Sequence, residues 1–212
     1  MEVLDSFVFQ APFACLVSGP SRSGKSTLLL SILKNAREMI NPAPDRILFC
    51  YAQPQDAFNT VPGIELHHGI PDVETEFDPN QNNLLILDDL MDQADCNPDI
   101  QKLFTVDSHH KNISIFFITQ NIYSKGKCMR TISLNTNYML IFNNPRDRQQ
   151  IRTLSRQMFP SNAKFLSECY DDATETQHFG YLFLDLTQKT KQAHRVQTNI
   201  LPRETRIIYQ SK

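Results

Sequence analysis

The chain has 212 residues, of which 41% are hydrophobic and 21% are charged, and its formal net charge is -2. This length favours one domain with one sizeable core, so we expect residues 1–212 to form a single domain. Proteins that coat nucleic acid along their whole surface are strongly basic, so any contact of this chain with nucleic acid has to be local. No apolar run approaches the roughly 18 residues of a membrane-spanning helix, so no spanning segment is expected. The five cysteines form no CxxC pair, which is typical of reduced intracellular thiols.

Short apolar runs alternate with segments of helical periodicity along the chain. The sequence predicts strands, in chain order, at residues 13–18, 46–50, 84–88, 113–119, 138–142, 181–186 and 195–200. It predicts helices at residues 25–39, 98–106, 145–158 and 162–170, the second with Asn97 as its cap and Pro98 at its first position. Residues 53–79 are rich in Pro, Asn, Asp and Gly and are expected to be loop, with a short strand near residues 65–67.

Continuous apolar strands that alternate with helices indicate an α/β fold. In this class a mostly parallel central sheet is covered by helices on both faces. The last two predicted strands are expected to be antiparallel pieces at the edge of the sheet. Periodicity does not reveal the order of the strands.

A phosphate-binding pattern, GxxxxGK[ST], lies between the first predicted strand and the first predicted helix. With the threonine that follows, its residues are the candidates for nucleotide binding: Gly19, Pro20, Ser21, Arg22, Ser23, Gly24, Lys25, Ser26 and Thr27. The glycines permit a tight turn whose N–H groups point at phosphate oxygens, and the helix adds the positive end of its dipole. Lys25 is expected to reach the β and γ phosphates, and Ser26 is expected to hold Mg²⁺. The sequence therefore predicts a P-loop NTPase that uses ATP and Mg²⁺.

Two acidic residues end the buried strand at residues 84–88. Parallel sheets bind ligands at their carboxyl edge, which places Asp88 and Asp89 beside the P-loop. Asp88 is the candidate partner of Mg²⁺, directly or through water, and Asp89 is the candidate base that orients and polarises the attacking water. Aspartate also ends strands in ordinary turns, and Asp89 reaches one methylene less than a glutamate, so a turn role stays open for it.

The strand at residues 113–119 ends in the polar sequence Thr119-Gln120-Asn121. Gln120 is the candidate contact for the γ-phosphate or its water, because an amide donates and accepts hydrogen bonds at once. Asn121 fits ordinary turn chemistry nearly as well. Two acids followed by a separate polar-tipped strand favour a hydrolysing motor over a small-molecule kinase.

Six segments together resemble the genome-packaging ATPases of large DNA viruses, including poxvirus-like enzymes, and of virus-like Polinton elements, within the FtsK–HerA superfamily. They match in order and spacing at residues 19–26, 85–90, 104–110, 118–121, 130–135 and 142–147. The first two motifs occur in many ATPases, whereas the histidine pair and the segment that begins at Arg130 narrow the choice. The resemblance implies a homo-oligomeric ring that uses ATP to drive double-stranded DNA, without sequence preference, into a preformed capsid.

The resemblance also implies that an arginine of one subunit completes the active site of its neighbour. Arg130 best matches that position, and Arg146 and Arg148 are its rivals. His109 and His110 are part of the resemblance, but adjacent histidines point in different directions on most backbones and make a poor metal site. We expect the two histidines near the active edge of the sheet or the pore of the ring.

A capsid or portal component is the further partner that the resemblance implies. It also implies a location at virion assembly sites in the host cytoplasm or nucleus, or in the virion. Three alternatives stay open: a P-loop kinase of a nucleotide or metabolite, a cellular-type DNA translocase or helicase, and a scaffold that binds ATP without hydrolysis. A kinase needs an arginine-bearing lid, which residues 125–130 could imitate. Intact Lys25, Ser26 and Asp88 argue against the scaffold.

Overall fold

The computed structural model describes residues 7–53, 56–90, 100, 102–123 and 127–211. The strands in this part of the chain are β1 (Phe9–Gln10), β2 (Ala14–Ser18), β3 (Ile40–Asn41), β4 (Arg46–Tyr51), β5 (Ile64–His68), β6 (Asn83–Asp88), β7 (Ile113–Thr119), β8 (Tyr138–Phe142), β9 (Tyr181–Asp185), β10 (Val196–Thr198) and β11 (Ile207–Tyr209). The helices there are α1 (Lys25–Lys34), α2 (Ala36–Met39), α3 (Val73–Glu76), α4 (Ser108–His110), α5 (Lys127–Asn135), α6 (Gln149–Met158) and α7 (Phe165–Glu175). A π-helical turn, Leu103–Asp107, leads into α4, and 3-10 turns lie at Asp56–Thr60, Pro160–Asn162 and Gln192–His194.

Nine of these strands form one sheet in the order β11-β10-β9-β8-β2-β7-β6-β4-β5. Six neighbouring strands of the sheet are parallel to one another, namely β8, β2, β7, β6, β4 and β5. The remaining three, β9, β10 and β11, are each antiparallel to the strand before them. The α/β class, the mostly parallel sheet and the antiparallel C-terminal strands are thereby confirmed.

Alternate residues of each strand face opposite sides of the sheet, and each side has its own apolar core. On β2, for example, Val17 packs in the cluster that contains Leu28 and Ile32 of α1. Its neighbour Leu16 packs in the other cluster, with Met129 of α5 and residues of α6 and α7. Both faces are therefore covered, which explains why the central strands read as unbroken apolar runs.

Local structure departs from the sequence prediction in two places. The first helix was expected to run to about Met39, but it ends at Lys34. Asn35 leaves helical geometry at φ -109°, and its side-chain amide donates back to Ser31 O at 2.8 Å. Helix α5 was not predicted; its nine residues are too few for a clear apolar repeat. The short strand near residues 65–67 is confirmed as β5. The predicted cap at Asn97 and Pro98 lies outside the described residues.

In the described ranges, no helix combines the length and apolarity that crossing a bilayer demands.

Candidate active site

The loop from residue 19 to 24 joins the end of β2 to the start of α1. It is tied to the neighbouring strand by the N–H of Gly19, which donates to Thr119 O at 3.2 Å. A Cβ atom at Gly19 would lie 2.7 Å from the Cβ of Phe142, so the close approach of two strand ends requires glycine there. Gly24, at φ 104°, caps α1 in a conformation that residues with side chains rarely adopt. The loop therefore has the tight turn that the sequence pattern predicts.

The ammonium group of Lys25 is folded over the loop that precedes it. Its Nζ donates to Gly19 O at 2.6 Å and to Pro20 O at 2.8 Å. Partial burial lowers the pKa of Lys25, and the nearby carboxylates of Asp88 and Asp89 oppose this effect by favouring the charged form. A cation therefore lies within electrostatic range of both acids, at the mouth of the P-loop.

The two acids occupy different environments at the end of β6. Asp88 is 5% exposed and pairs in register with Ile118 of β7, one residue before the strand end that contacts Gly19. Asp89 is exposed and has a φ of 53°, in the left-handed region. A non-glycine residue in that region costs about 1–3 kcal/mol and persists where its surroundings enforce it, often at functional sites. The chain thus turns sharply at Asp89 directly beside the loop.

A cavity of 190 Å³ joins the loop to the ends of β6 and β7. It is lined by Ser21, Arg22, Lys25, Ser26, Asp88, Asp89, Ile118, Thr119 and Gln120. The structure therefore brings together the lysine, the serine, both acids and the glutamine that the sequence selected. Thr27 is exposed on α1 and does not line this cavity.

Gln120 sits on a turn that is anchored by a residue the sequence analysis did not select. The buried Gln150, in the first turn of α6, accepts from the N–H of Ile122 at 2.6 Å through Oε1. Its Nε2 donates to Asn121 Oδ1 at 3.0 Å and to Asp147 Oδ2 at 2.7 Å. One side chain thus fixes the turn after β7 to the turn before α6. The only sequence signal for it was a glutamine at the start of a segment with amphipathic helical spacing.

The oxygen set of the cavity fits a nucleotide-bound Mg²⁺. Among the residues that the structure describes, no cluster of three or more His, Cys, Asp or Glu side chains could hold a metal alone. Mg²⁺ at nucleotide sites takes only one or two protein oxygens and obtains the rest from phosphates and water. Ser26 and Asp88, which line the same cavity, supply that number.

The three candidate arginines differ in their surroundings. Arg130 is exposed on α5, and Arg146 is exposed in the turn before α6. Arg148 is paired within its own chain: Nη2 contacts Asp171, and Nη1 lies 3.6 Å from Glu175. Its guanidinium also lies over the ring of Tyr170. Arg148 is therefore engaged by α7, whereas Arg130 and Arg146 face outward.

The histidine pair lies away from the P-loop, so its expected place near the active edge was wrong, and the pore of a ring stays a prediction. His109 and His110 belong to α4, which ends just before β7 begins at Ile113. Because β7 runs in parallel with β2, its first residues lie at the amino edge of the sheet and only its last residues reach the loop. The histidines are therefore at the opposite edge from Lys25.

Solved structures of viral ATPases share this fold. The DNA-packaging ATPase B204 from Sulfolobus turreted icosahedral virus matches with a TM-score of 0.58 and 13% identity, over 95% of this chain and 98% of that one. The genome packaging NTPase B204 from Sulfolobus turreted icosahedral virus 2, in complex with AMPPCP, matches with a TM-score of 0.57 and 12% identity, over 95% and 98%. Its complex with ATP-γS matches at 0.53 and 12%, over 88% and 96%. No protein-family model matches the sequence, and no curated protein is significantly similar to it. The chain thus has the fold of the viral genome-packaging P-loop ATPases, as the six sequence motifs predicted.

Proposed function

We propose that this protein is an ATP-hydrolysing motor that moves double-stranded DNA into a preformed capsid. The observation that carries the proposal is the cavity that joins the P-loop to Asp88, Asp89 and Gln120. That cavity lies at the carboxyl edge of the sheet, in a fold shared with a DNA-packaging ATPase. A relative of the same fold binds ATP-γS and AMPPCP, which supports ATP as the nucleotide.

The chemistry follows from the groups around the cavity. Lys25, which contacts two neutral carbonyl oxygens, would exchange them for the β and γ phosphate oxygens, where a charge-assisted bond is stronger. Asp89 would accept the proton of the attacking water, and Gln120 would orient that water while donating to a γ-phosphate oxygen. Mg²⁺ held by Ser26 and Asp88 would supply the charge that neutralises the phosphates.

Arg130 is the arginine that we assign to the site of a neighbouring subunit in a homo-oligomeric ring. Met129 and Ile132 hold α5 against the core, so Arg130 projects from a supported helix rather than from a loose loop. Leu134, 74% exposed, lies one helical turn further along the same outward face. An arginine beside an exposed leucine suits a surface that a second copy of the chain covers. Arg146 remains the rival, because Arg148 is engaged in its own chain.

A P-loop kinase is the principal alternative, and the placement of Arg130 supports the motor over it. A kinase lid has to move over the transferred phosphoryl group with its arginine. In the part of residues 125–130 that the structure describes, Arg130 is within α5. The buried residues of this helix pack in the apolar cluster that contains Leu16 of β2. The segment around Arg130 is therefore anchored, which suits a contact between subunits better than a lid.

The decisive experiment is a steady-state phosphate-release assay with and without double-stranded DNA. We expect ATP hydrolysis that DNA stimulates, with no phosphorylated small product. Turnover that ignores DNA and yields a phosphorylated nucleotide or metabolite would favour the kinase. An absence of hydrolysis despite ATP binding would favour the scaffold.

The role of Arg130 is tested by mixing two inactive proteins, Arg130→Ala and Lys25→Ala. In mixed rings some intact P-loops would face an intact arginine, so activity should partly return. An arginine that acts in this way contributes about 10³–10⁵ in rate, which makes even partial recovery measurable. No recovery in rings shown to be mixed would turn attention to Arg146. Full activity of Arg130→Ala alone would remove Arg130 from the site.

The remaining elements of the proposal concern partners and place. We propose that residues 1–212 work as a single P-loop ATPase domain, with a capsid or portal component as partner. The site of action would be the place of virion assembly in the host cytoplasm or nucleus, or the virion itself. Contact with DNA would be local, since the net charge is -2, and we expect it to be independent of base sequence.

A further inference from the structure

A second cavity, of 300 Å³, lies on the opposite side of the P-loop from the two acids. One wall is the loop itself, at Pro20, Ser21, Arg22 and Ser23. The other wall comes from the segments that follow β8 and precede β9, including His178 and Phe179. In the sheet, β8 and β9 lie on one side of β2, and β7 and β6 lie on the other. The two cavities meet at the loop, since Ser21 and Arg22 line both of them.

Phe179 is the most unusual residue of this second cavity. Its side chain is 48% exposed although it is large and apolar, and its φ of 63° is in the left-handed region. The ring centroid of Phe179 lies 4.0 Å from that of His178. A Cβ atom built on Gly24 would come within 2.7 Å of the Cβ of Phe179, so this side chain touches the last glycine of the P-loop. An aromatic side chain is thus presented to solvent at the loop that is expected to bind phosphate.

The turn that presents Phe179 is held in place by its neighbours. The N–H of Gly180 donates to Gln177 O at 3.0 Å. A Cβ at Gly180 would lie 2.3 Å from the carbonyl oxygen of Ala173 in α7, so only glycine permits this close packing. The position of Phe179 therefore follows from α7 and β9 rather than from loose loop geometry.

We propose that the second cavity receives the base and ribose of the nucleotide, with the ring of Phe179 stacked on the base. This inference rests on the proposed function, because it extends the same nucleotide site. The 190 Å³ cavity is smaller than the roughly 300–1,000 Å³ of typical ligand pockets, so it suits the phosphates alone. The nucleoside therefore extends past the loop to the other side, where Phe179 and His178 offer π-faces that accept any base.

One test uses the absence of tryptophan from the sequence. In Phe179→Trp the single tryptophan would stack on the base, so its fluorescence should change on addition of ATP and stay constant with inorganic tripolyphosphate. Leu66→Trp is the matched control, because Leu66 is similarly exposed, at 45%, on the edge strand β5. Equal responses of Phe179→Trp to both ligands, or equal responses of both variants to ATP, would overturn the inference.

The second test compares affinities by calorimetry for ATP and for tripolyphosphate. Phe179→Ala should weaken ATP binding by about tenfold, the usual order for loss of one base–aromatic stack, and should leave tripolyphosphate binding unchanged. Phe179→Tyr should restore ATP affinity. Equal loss for both ligands would mean that Phe179 only supports Gly24, and unchanged ATP affinity would mean that the base binds elsewhere; either result overturns the inference. A parent protein that binds neither ligand would instead overturn the proposed function.

Discussion

Gln150 is the residue whose replacement should best separate positioning from simple stability. It makes three hydrogen bonds within the described structure, to the Ile122 N–H, to Asn121 and to Asp147. Replacement by leucine keeps a similar volume and removes all three. The turn that bears Gln120 would then keep only the bond from Tyr123 to Gln157 as a hydrogen bond to α6, while the P-loop would keep its own contacts. Gln150→Leu should therefore lower kcat for ATP and leave KM close to the parent value.

The expected losses in stability and in kcat can both be worked out from these contacts. A buried N–H group without an acceptor costs about 1–3 kcal/mol, and a typical hydrogen bond contributes about 1 kcal/mol net. Gln150→Leu should thus lower the free energy of unfolding by about 2–4 kcal/mol. A displacement of about 1 Å at a catalytic group can lower the rate about 10²-fold, so we expect a loss of that order in kcat.

The assay combines urea unfolding with phosphate release under conditions where each protein is folded. Ser155→Ala is the matched control, since the Ser155 hydroxyl lies in the same helix and donates to Ala163 O at 2.5 Å, away from the turn. The control should lose stability and keep its kcat. If Gln150→Leu is destabilised but turns over ATP at the parent rate, the turn does not position Gln120 for the reaction.

Three further expectations concern the P-loop, the acids and DNA. Lys25→Ala should abolish phosphate release and weaken ATP binding in calorimetry, whereas Lys34→Ala, exposed at the far end of α1, should do neither; near-normal hydrolysis by Lys25→Ala would refute the P-loop assignment. Asp88→Asn should reduce Mg²⁺-dependent ATP binding and rate together. Asp89→Asn should still bind ATP but hydrolyse it about 10²-fold more slowly, and a parent rate would leave it only a turn residue. DNA binding, measured by fluorescence anisotropy, should weaken steeply with salt and show no base preference; a preference that survives high salt would contradict a packaging motor.

Much of the site could be predicted from the sequence because its residues lie in short local patterns. The strands β7 and β8 were predicted with the bounds that are observed, Ile113–Thr119 and Tyr138–Phe142. Each buried strand is an unbroken apolar run, and the polar residues of the site follow it directly in the sequence. Since the carboxyl ends of parallel strands meet at one edge, the P-loop, Asp88 and Gln120 could be expected to lie together.

Tertiary structure decided what depends on contacts between distant parts of the chain. The order of strands places β7 between β2 and β6, and no periodicity encodes that order. Gln150 reaches Ile122 across 28 positions of sequence, and Phe179 reaches Gly24 from the far end of α7. The active edge was the wrong expectation for the histidine pair for the same reason, because the direction in which β7 enters the sheet decides which edge the pair occupies. Apolar spacing reports which face of an element is buried, but which element covers that face is settled only when the whole chain packs.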